Sequence, residues 1–164
     1  MNDVRFQCQH GCVRCCESKG VVYLTEQDST RIAAYLNKSL PDFESKYVYR
    51  TAHLRRLRTP RGSPCPFLGN GGCTIHDVKP VQCRLFPFWP EYIENAIEWA
   101  RLRTWCPGIG KGELIQITSV NQIAQEMREA FPAMYRQRSN CPVTPAVRIG
   151  PGCSKSETLP SGPP

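Results

Sequence analysis

Four cysteines, Cys8, Cys12, Cys15 and Cys16, stand close together in the run Phe6-Gln-Cys-Gln-His-Gly-Cys-Val-Arg-Cys-Cys. Thiols this near in sequence converge on metal at little loop-closure cost. Four more follow at wider spacing: Cys65, Cys73, Cys83 and Cys106. Eight thiolates are the ligand number for two four-cysteine zinc sites or two four-iron clusters. Cys12 and Cys15 have the spacing of a chelating knuckle. In extended backbone the side chains of adjacent Cys15 and Cys16 would diverge. That favours a polynuclear site, or two neighbouring sites, over one isolated zinc finger. His10 and His76 lie beside the cysteines and read as alternate ligands or as outer partners of the site, because the thiols already suffice. Burial as small apolar groups would suit one or two of the downstream four. It suits Cys8–Cys16 poorly, since Gln9, His10, Gly11 and Arg14 intervene.

Other chemistries find little support. The three histidines, His10, His53 and His76, form no serine–histidine–acid set, and no paired carboxylates stand out. The Cys8-x3-Cys12-x2-Cys15 spacing occurs in radical S-adenosylmethionine enzymes, but the repeated strand–helix units of their barrel are missing. Pro107-Gly-Ile-Gly-Lys-Gly112 lacks the earlier glycine and the following Ser or Thr of a phosphate loop. The formal charge of +7 invites a nucleic-acid reading. Eight thiolates holding two Zn²⁺ would lower it by four, to +3. The basic run at residues 50–61 carries no aromatic group for base stacking, so nucleic acid is not the expected partner.

The elements that must position these thiols are short. The chain has 164 residues, 15 of them Pro and 12 Gly, which suits a loop-rich single domain. Residues 1–17 read as a cysteine-rich loop and 21–24 as a strand. Thr25 and Asp28 form a capping box opening a helix toward Leu36. Residues 41–49 fit a short helix or a strand. Residues 59–73 are rich in turns. Residues 90–105 have helical spacing, although Glu94 and Asn95 could turn a hairpin. Ile115 and Ile117 alternate like a strand. Ser119 and Gln122 form a second capping box for a helix over 119–131, ended by Pro132. From Asn140 the composition predicts a disordered tail, leaving Cys141 and Cys153 outside the site. No apolar run approaches the roughly 18 residues of a membrane span, and the N-terminus lacks a secretory pattern. The expected location is the cytoplasm, where reduced thiols more often mean metal than disulfides.

Taken together, Phe6-x-Cys8, Cys12-x2-Cys15-Cys16, Val22-Tyr-Leu-Thr25, Cys65-Pro-Phe-Leu68, Gly72-Cys73-x-Ile75, Pro80-x2-Cys83-Arg-x-Phe-Pro87 and Cys106-Pro-Gly-Ile-Gly110 resemble the YkgJ-type cysteine-cluster family. The resemblance covers roughly residues 6–131 and implies a zinc- or iron-chelating domain. It departs from the family at the first spacing, which is usually Cys-x2-Cys. A Tyr is commoner at the position of His76, and Arg-Pro at Lys79-Pro80. The resulting expectation is an α+β domain over 1–139 organised around a cysteine-ligated centre, with a C-terminal helix and a tail over 140–164. Its ligands would be Cys8, Cys12, Cys15, Cys16, Cys65, Cys73, Cys83 and Cys106. The metal is zinc or iron, with an iron–sulfur cluster preferred because vicinal cysteines suit a multi-iron centre. Two further functions stay open: a redox or accessory subunit supplying a cluster to a partner oxidoreductase or methylase, and a nucleic-acid-binding zinc module.

Overall fold

Sixteen short elements follow one another in a computed structural model that describes residues 4–18, 20–60 and 63–135. In chain order they are β1 (Val4–Phe6), α1 (Arg14–Glu17), β2 (Tyr23–Leu24), α2 (Glu26–Tyr35), α3 (Leu40–Tyr47), β3 (Val48–Arg50), β4 (Arg55–Leu57), β5 (Leu68–Gly69) and β6 (Gly72–Cys73). A 3₁₀ turn at His76–Val78 leads to α4 (Val81–Leu85), α5 (Pro90–Ile93), α6 (Ala96–Trp105), β7 (Ile109–Ile115), α7 (Ile117–Ala130) and α8 (Pro132–Tyr135). The fold is α+β. The expected tail, with Cys141 and Cys153, lies outside the described residues.

Local chemistry explains most boundaries. Thr25 caps α2 by accepting from the Asp28 amide at 3.0 Å, and Asp28 accepts from the Thr25 amide at 3.0 Å. Ser39 caps α3 with Pro41 in the first turn, so residues 41–49 resolve into a helix followed by β3. Asn95 accepts from the amides of Ile97 and Glu98, and therefore starts α6. The Glu94–Asn95 break falls between two helices rather than at a hairpin tip. α7 begins at Ile117, before the proposed Ser119 cap. Ser119 lies inside the helix, and the residue before it, Gln116, makes no side-chain cap. The expected loop over 1–17 instead contains β1 and α1 among its described residues, 4–17.

Three small antiparallel sheets result: β1 with β7, β2–β4–β3, and β5 with β6. Two main cores lie under them. One joins Leu24, Ile32, Phe43, Val48, Leu57, Phe67 and Ile75, with Cys65 and Cys73 packed against it. The other joins Phe88, Tyr92, Trp99, Leu102, Val120 and Cys106 itself. Fully burying a side chain such as Phe43 contributes about 3 kcal/mol.

Much of the basic run is engaged within the chain. Arg55 pairs with Glu26 at 3.2 Å and with Glu44 at 3.6 Å, and Arg50 pairs with Glu44 at 3.0 Å. Arg56 stacks over the Tyr49 ring, and Arg58 donates to the Val48 carbonyl at 3.0 Å.

Candidate metal centre

Three ties bring the N-terminal cysteines onto the rest of the molecule. The Gln7 amide donates to the Gly108 carbonyl at 3.0 Å, extending the β1–β7 pairing to the doorstep of Cys8 and Cys106. A Cβ on Gly108 would lie 2.5 Å from the Gln7 carbonyl oxygen, so this close approach requires glycine. Arg14 Nη1 donates to the Trp105 carbonyl at 2.6 Å, fixing α1 beside the residue preceding Cys106. The Cys65 amide donates to the Cys16 carbonyl at 2.8 Å.

Cys83 is placed through Gln82. The buried Gln82 side chain accepts from the Tyr23 amide at 2.5 Å and donates to the Val21 carbonyl at 3.1 Å. This locks α4 to β2. Asp28, fully buried, adds a second lock by accepting from the Val81 amide at 3.1 Å and from Arg31 at 2.6 Å.

The thiols differ in the neighbours they feel. Side-chain interaction with Cys65 and Cys73 drives the Cys16 thiol up and, in return, lowers Cys65 and Cys73. Cys73 is brought down to about 6 by its interaction with Cys16, aided by the Ile75 amide and by the charges of His76 and Lys79. Burial raises Cys83, with Cys65, Cys73 and Cys15 as its charged neighbours. On the other side, burial pushes Cys15 up to about 12, reinforced by Cys106, Cys12 and Cys8. Burial likewise raises Cys106, which has Cys12 and Cys8 as neighbours. Cys15 and Cys106 thus feel Cys8 and Cys12, whereas Cys16 feels Cys65 and Cys73, and Cys83 feels Cys65, Cys73 and Cys15. All eight are unbridged thiols.

Backbone amides prepare several of these sulfurs. Phe67 donates to Cys65, Ile75 to Cys73, and both Gly108 and Ile109 to Cys106. An amide two residues beyond the cysteine stabilises the thiolate and fixes its direction. Among the described residues, no group of three or more His, Cys, Asp or Glu side chains is placed to hold a metal ion as it stands. The donor chemistry fits a thiophilic metal; the sulfurs themselves still have to close around it. His76 is exposed, its ring 3.4 Å from Lys79 Nζ, and His10 is exposed as well.

A cavity of about 470 Å³ adjoins four of the thiols. Cys15, Cys16, Cys65 and Cys83 line it, with Phe86, Trp89, Tyr92 and Trp105. Phe86 meets the other three rings edge-on at centroid distances of 5.3, 6.2 and 6.1 Å. Burial, with Glu91, Glu98 and Cys15 nearby, raises the Tyr92 hydroxyl to about 12. The thiol pattern alone does not reveal these aromatics. Their signal is the density of Phe, Trp and Tyr between Cys83 and Cys106.

Residues 7–107 match the model of the CxxCxxCC family, whose description reads "Putative zinc- or iron-chelating domain". The match spans more than half of the chain, and the chain belongs to this family. Family membership supports metal binding by zinc or iron. An uncharacterized protein of Methanocaldococcus jannaschii is 25% identical over 140 residues, covering 82% of this chain and 47% of that protein. The chain therefore spans about half the length of this relative. No solved structure matches. No helix among the described residues is long and apolar enough to cross a membrane.

Proposed function

We propose that this protein binds two thiolate-ligated metal centres through adjacent residues of one helical turn. Cys8, Cys12, Cys15 and Cys106 hold one centre; Cys16, Cys65, Cys73 and Cys83 hold the other. One observation carries this reading: the neighbouring thiols Cys15 and Cys16 have different sulfur neighbours. Metal entry draws each set together, and His10 and His76 stay outside both.

Zinc is the better occupant of the second set. Sulfurs sharing one Zn²⁺ at about 2.3 Å lie within roughly 4 Å of one another, closer than the cysteine sulfurs around a four-iron cluster. The interaction of Cys16 with both Cys65 and Cys73 favours that tight spacing. This departs from the iron–sulfur preference drawn from the vicinal cysteines. The reduced thiols suit a cytoplasmic setting. The engagement of Arg50, Arg55, Arg56 and Arg58 within the chain supports leaving nucleic acid aside.

Anaerobic purification followed by metal and acid-labile sulfide analysis tests the proposal. Two zinc ions per chain without sulfide is the expected result. Brown protein containing iron and sulfide would replace zinc by clusters and reopen the cluster-donor role toward an oxidoreductase or methylase. A single metal per chain would refute the division into two sets.

A further inference from the structure

One wall of the cavity beside the thiols is built from rings: Phe86, Trp89, Tyr92 and Trp105. Tyr92 is buried, whereas Phe86, Trp89 and Trp105 pack against the second core and stay only half-buried. The wall is held in place. Phe86 meets the other three rings edge-on, and Trp89 and Tyr92 stack at 5.5 Å with 18° between their planes. The Trp89 indole N–H donates to the Gln82 carbonyl at 2.8 Å, and the Gln82 side chain is itself tied to β2. Trp105 is anchored by its carbonyl, which accepts from Arg14. Polar side chains beside the rings have partners already. Arg101 pairs with Glu98 at 2.8 Å, and Glu91 accepts from the Tyr135 hydroxyl at 3.0 Å. Asn95 Oδ1 accepts from the amides of Ile97 and Glu98. The cavity volume, about 470 Å³, falls within the range of about 300–1,000 Å³ that accommodates small molecules.

We propose that this cavity binds a small molecule with a fused aromatic ring system, recognised by the wall of Phe86, Trp89, Tyr92 and Trp105. The proposal stands on the rings and does not rest on metal occupancy of the thiols. Aromatic surface left open to water in a concave site gains free energy when an apolar ligand covers it. Any apolar ligand of suitable size recovers that term. An aromatic ligand adds edge-to-face and offset-stacked contacts, which a saturated ring of the same carbon skeleton does not make. Because the wall is fixed by its own ring contacts and by the Trp89–Gln82 bond, little side-chain freedom is lost on binding. Hydrogen bonding adds less to the choice of ligand. The single donor of Trp89 is engaged, and a ligand polar group buried against the rings without a partner is costly. The ring contacts therefore set the class of ligand.

The probes are 2-naphthalenemethanol and its saturated counterpart decahydro-2-naphthalenemethanol, titrated into the full chain. Calorimetry reads binding, with metal content and melting temperature measured on the same sample. The aromatic alcohol should bind at least about tenfold more tightly than the saturated one. Trp105→Leu keeps an apolar side chain but removes a ring. It should lower that ratio while sparing the saturated alcohol, and Trp105→Phe should restore most of it. Equal affinity for the two alcohols, or no binding of either, overturns the proposal. So does a ratio that Trp105→Leu leaves intact in a folded chain. Where that variant does not fold, the two alcohols on the unaltered chain still decide. Metal-loaded protein without a ring preference overturns the pocket reading alone. A ring preference in protein that holds no metal overturns the metal reading alone.

Discussion

Cys15 and Cys16 share a peptide bond, and their thiols sit in different electrostatic company. The sequence suggested this from extended backbone, in which successive side chains oppose each other. The backbone here is a helical turn, α1, where successive side chains differ by about 100°. That smaller angle is enough to give them different neighbours: Cys106, Cys12 and Cys8 for Cys15, and Cys65 and Cys73 for Cys16. Single substitutions should therefore remove one centre each. Cys16→Ser is expected to lose about half the bound metal, as is Cys15→Ser, and the double variant nearly all of it. Metal analysis of the purified variants checks this; complete loss from either single variant would mean one shared centre. The amide donors to Cys65, Cys73 and Cys106 were not legible as such. Their local sign was a cysteine followed by a tight turn, written as Cys65-Pro66 and Cys106-Pro107.

Among the elements, β1 and β7 matter most to the first thiol set, and they were the hardest to read. Their residues pair across more than a hundred positions, Val4 with Ile115 and Arg5 with Leu114. Nothing local announces such a partnership. By contrast, α2 was readable because its cap is a four-residue exchange between Thr25 and Asp28. The start of α7 was misread at Ser119, where a favourable capping pattern was absorbed into the helix interior. The glycines at 108–112 had been weighed as part of a phosphate loop. Gly108 instead permits contact with Gln7, while Gly110 and Gly112 adopt positive φ in β7. Gly108→Ala is expected to cost about 2 kcal/mol by forcing backbone apart. It should also reduce metal in the first set while sparing the second. Urea unfolding and metal analysis together measure both effects. Unchanged stability and unchanged metal would show that the β1–β7 approach is not a constraint on the site.

At the scale of the whole molecule, the seam between two apolar cores divides three of the thiols. Cys65 and Cys73 pack on one core, and Cys106 belongs to the other. The α+β class and the eight-cysteine pattern were visible in the sequence. The seam was not, because it depends on how Phe43 and Ile75 on one side and Trp99 and Val120 on the other segregate. A centre held at such a seam should couple metal to folding. Chelation that removes even 3 kcal/mol of stability should lower the melting temperature by about 10 °C. Calorimetry before and after chelation checks this, and an unchanged melting temperature with unchanged thiol reactivity would exclude the coupling. The long pairing of β1 with β7 also sets an order of events at the ribosome. On the proposed grouping, Cys16, Cys65, Cys73 and Cys83 are all synthesised before Cys106. The nascent chain thus carries Cys8, Cys12 and Cys15 without their fourth ligand, and β1 without its strand partner, until the segment after α6 has left the exit tunnel. Oxidation or capture of the wrong ion would do the most damage during that interval.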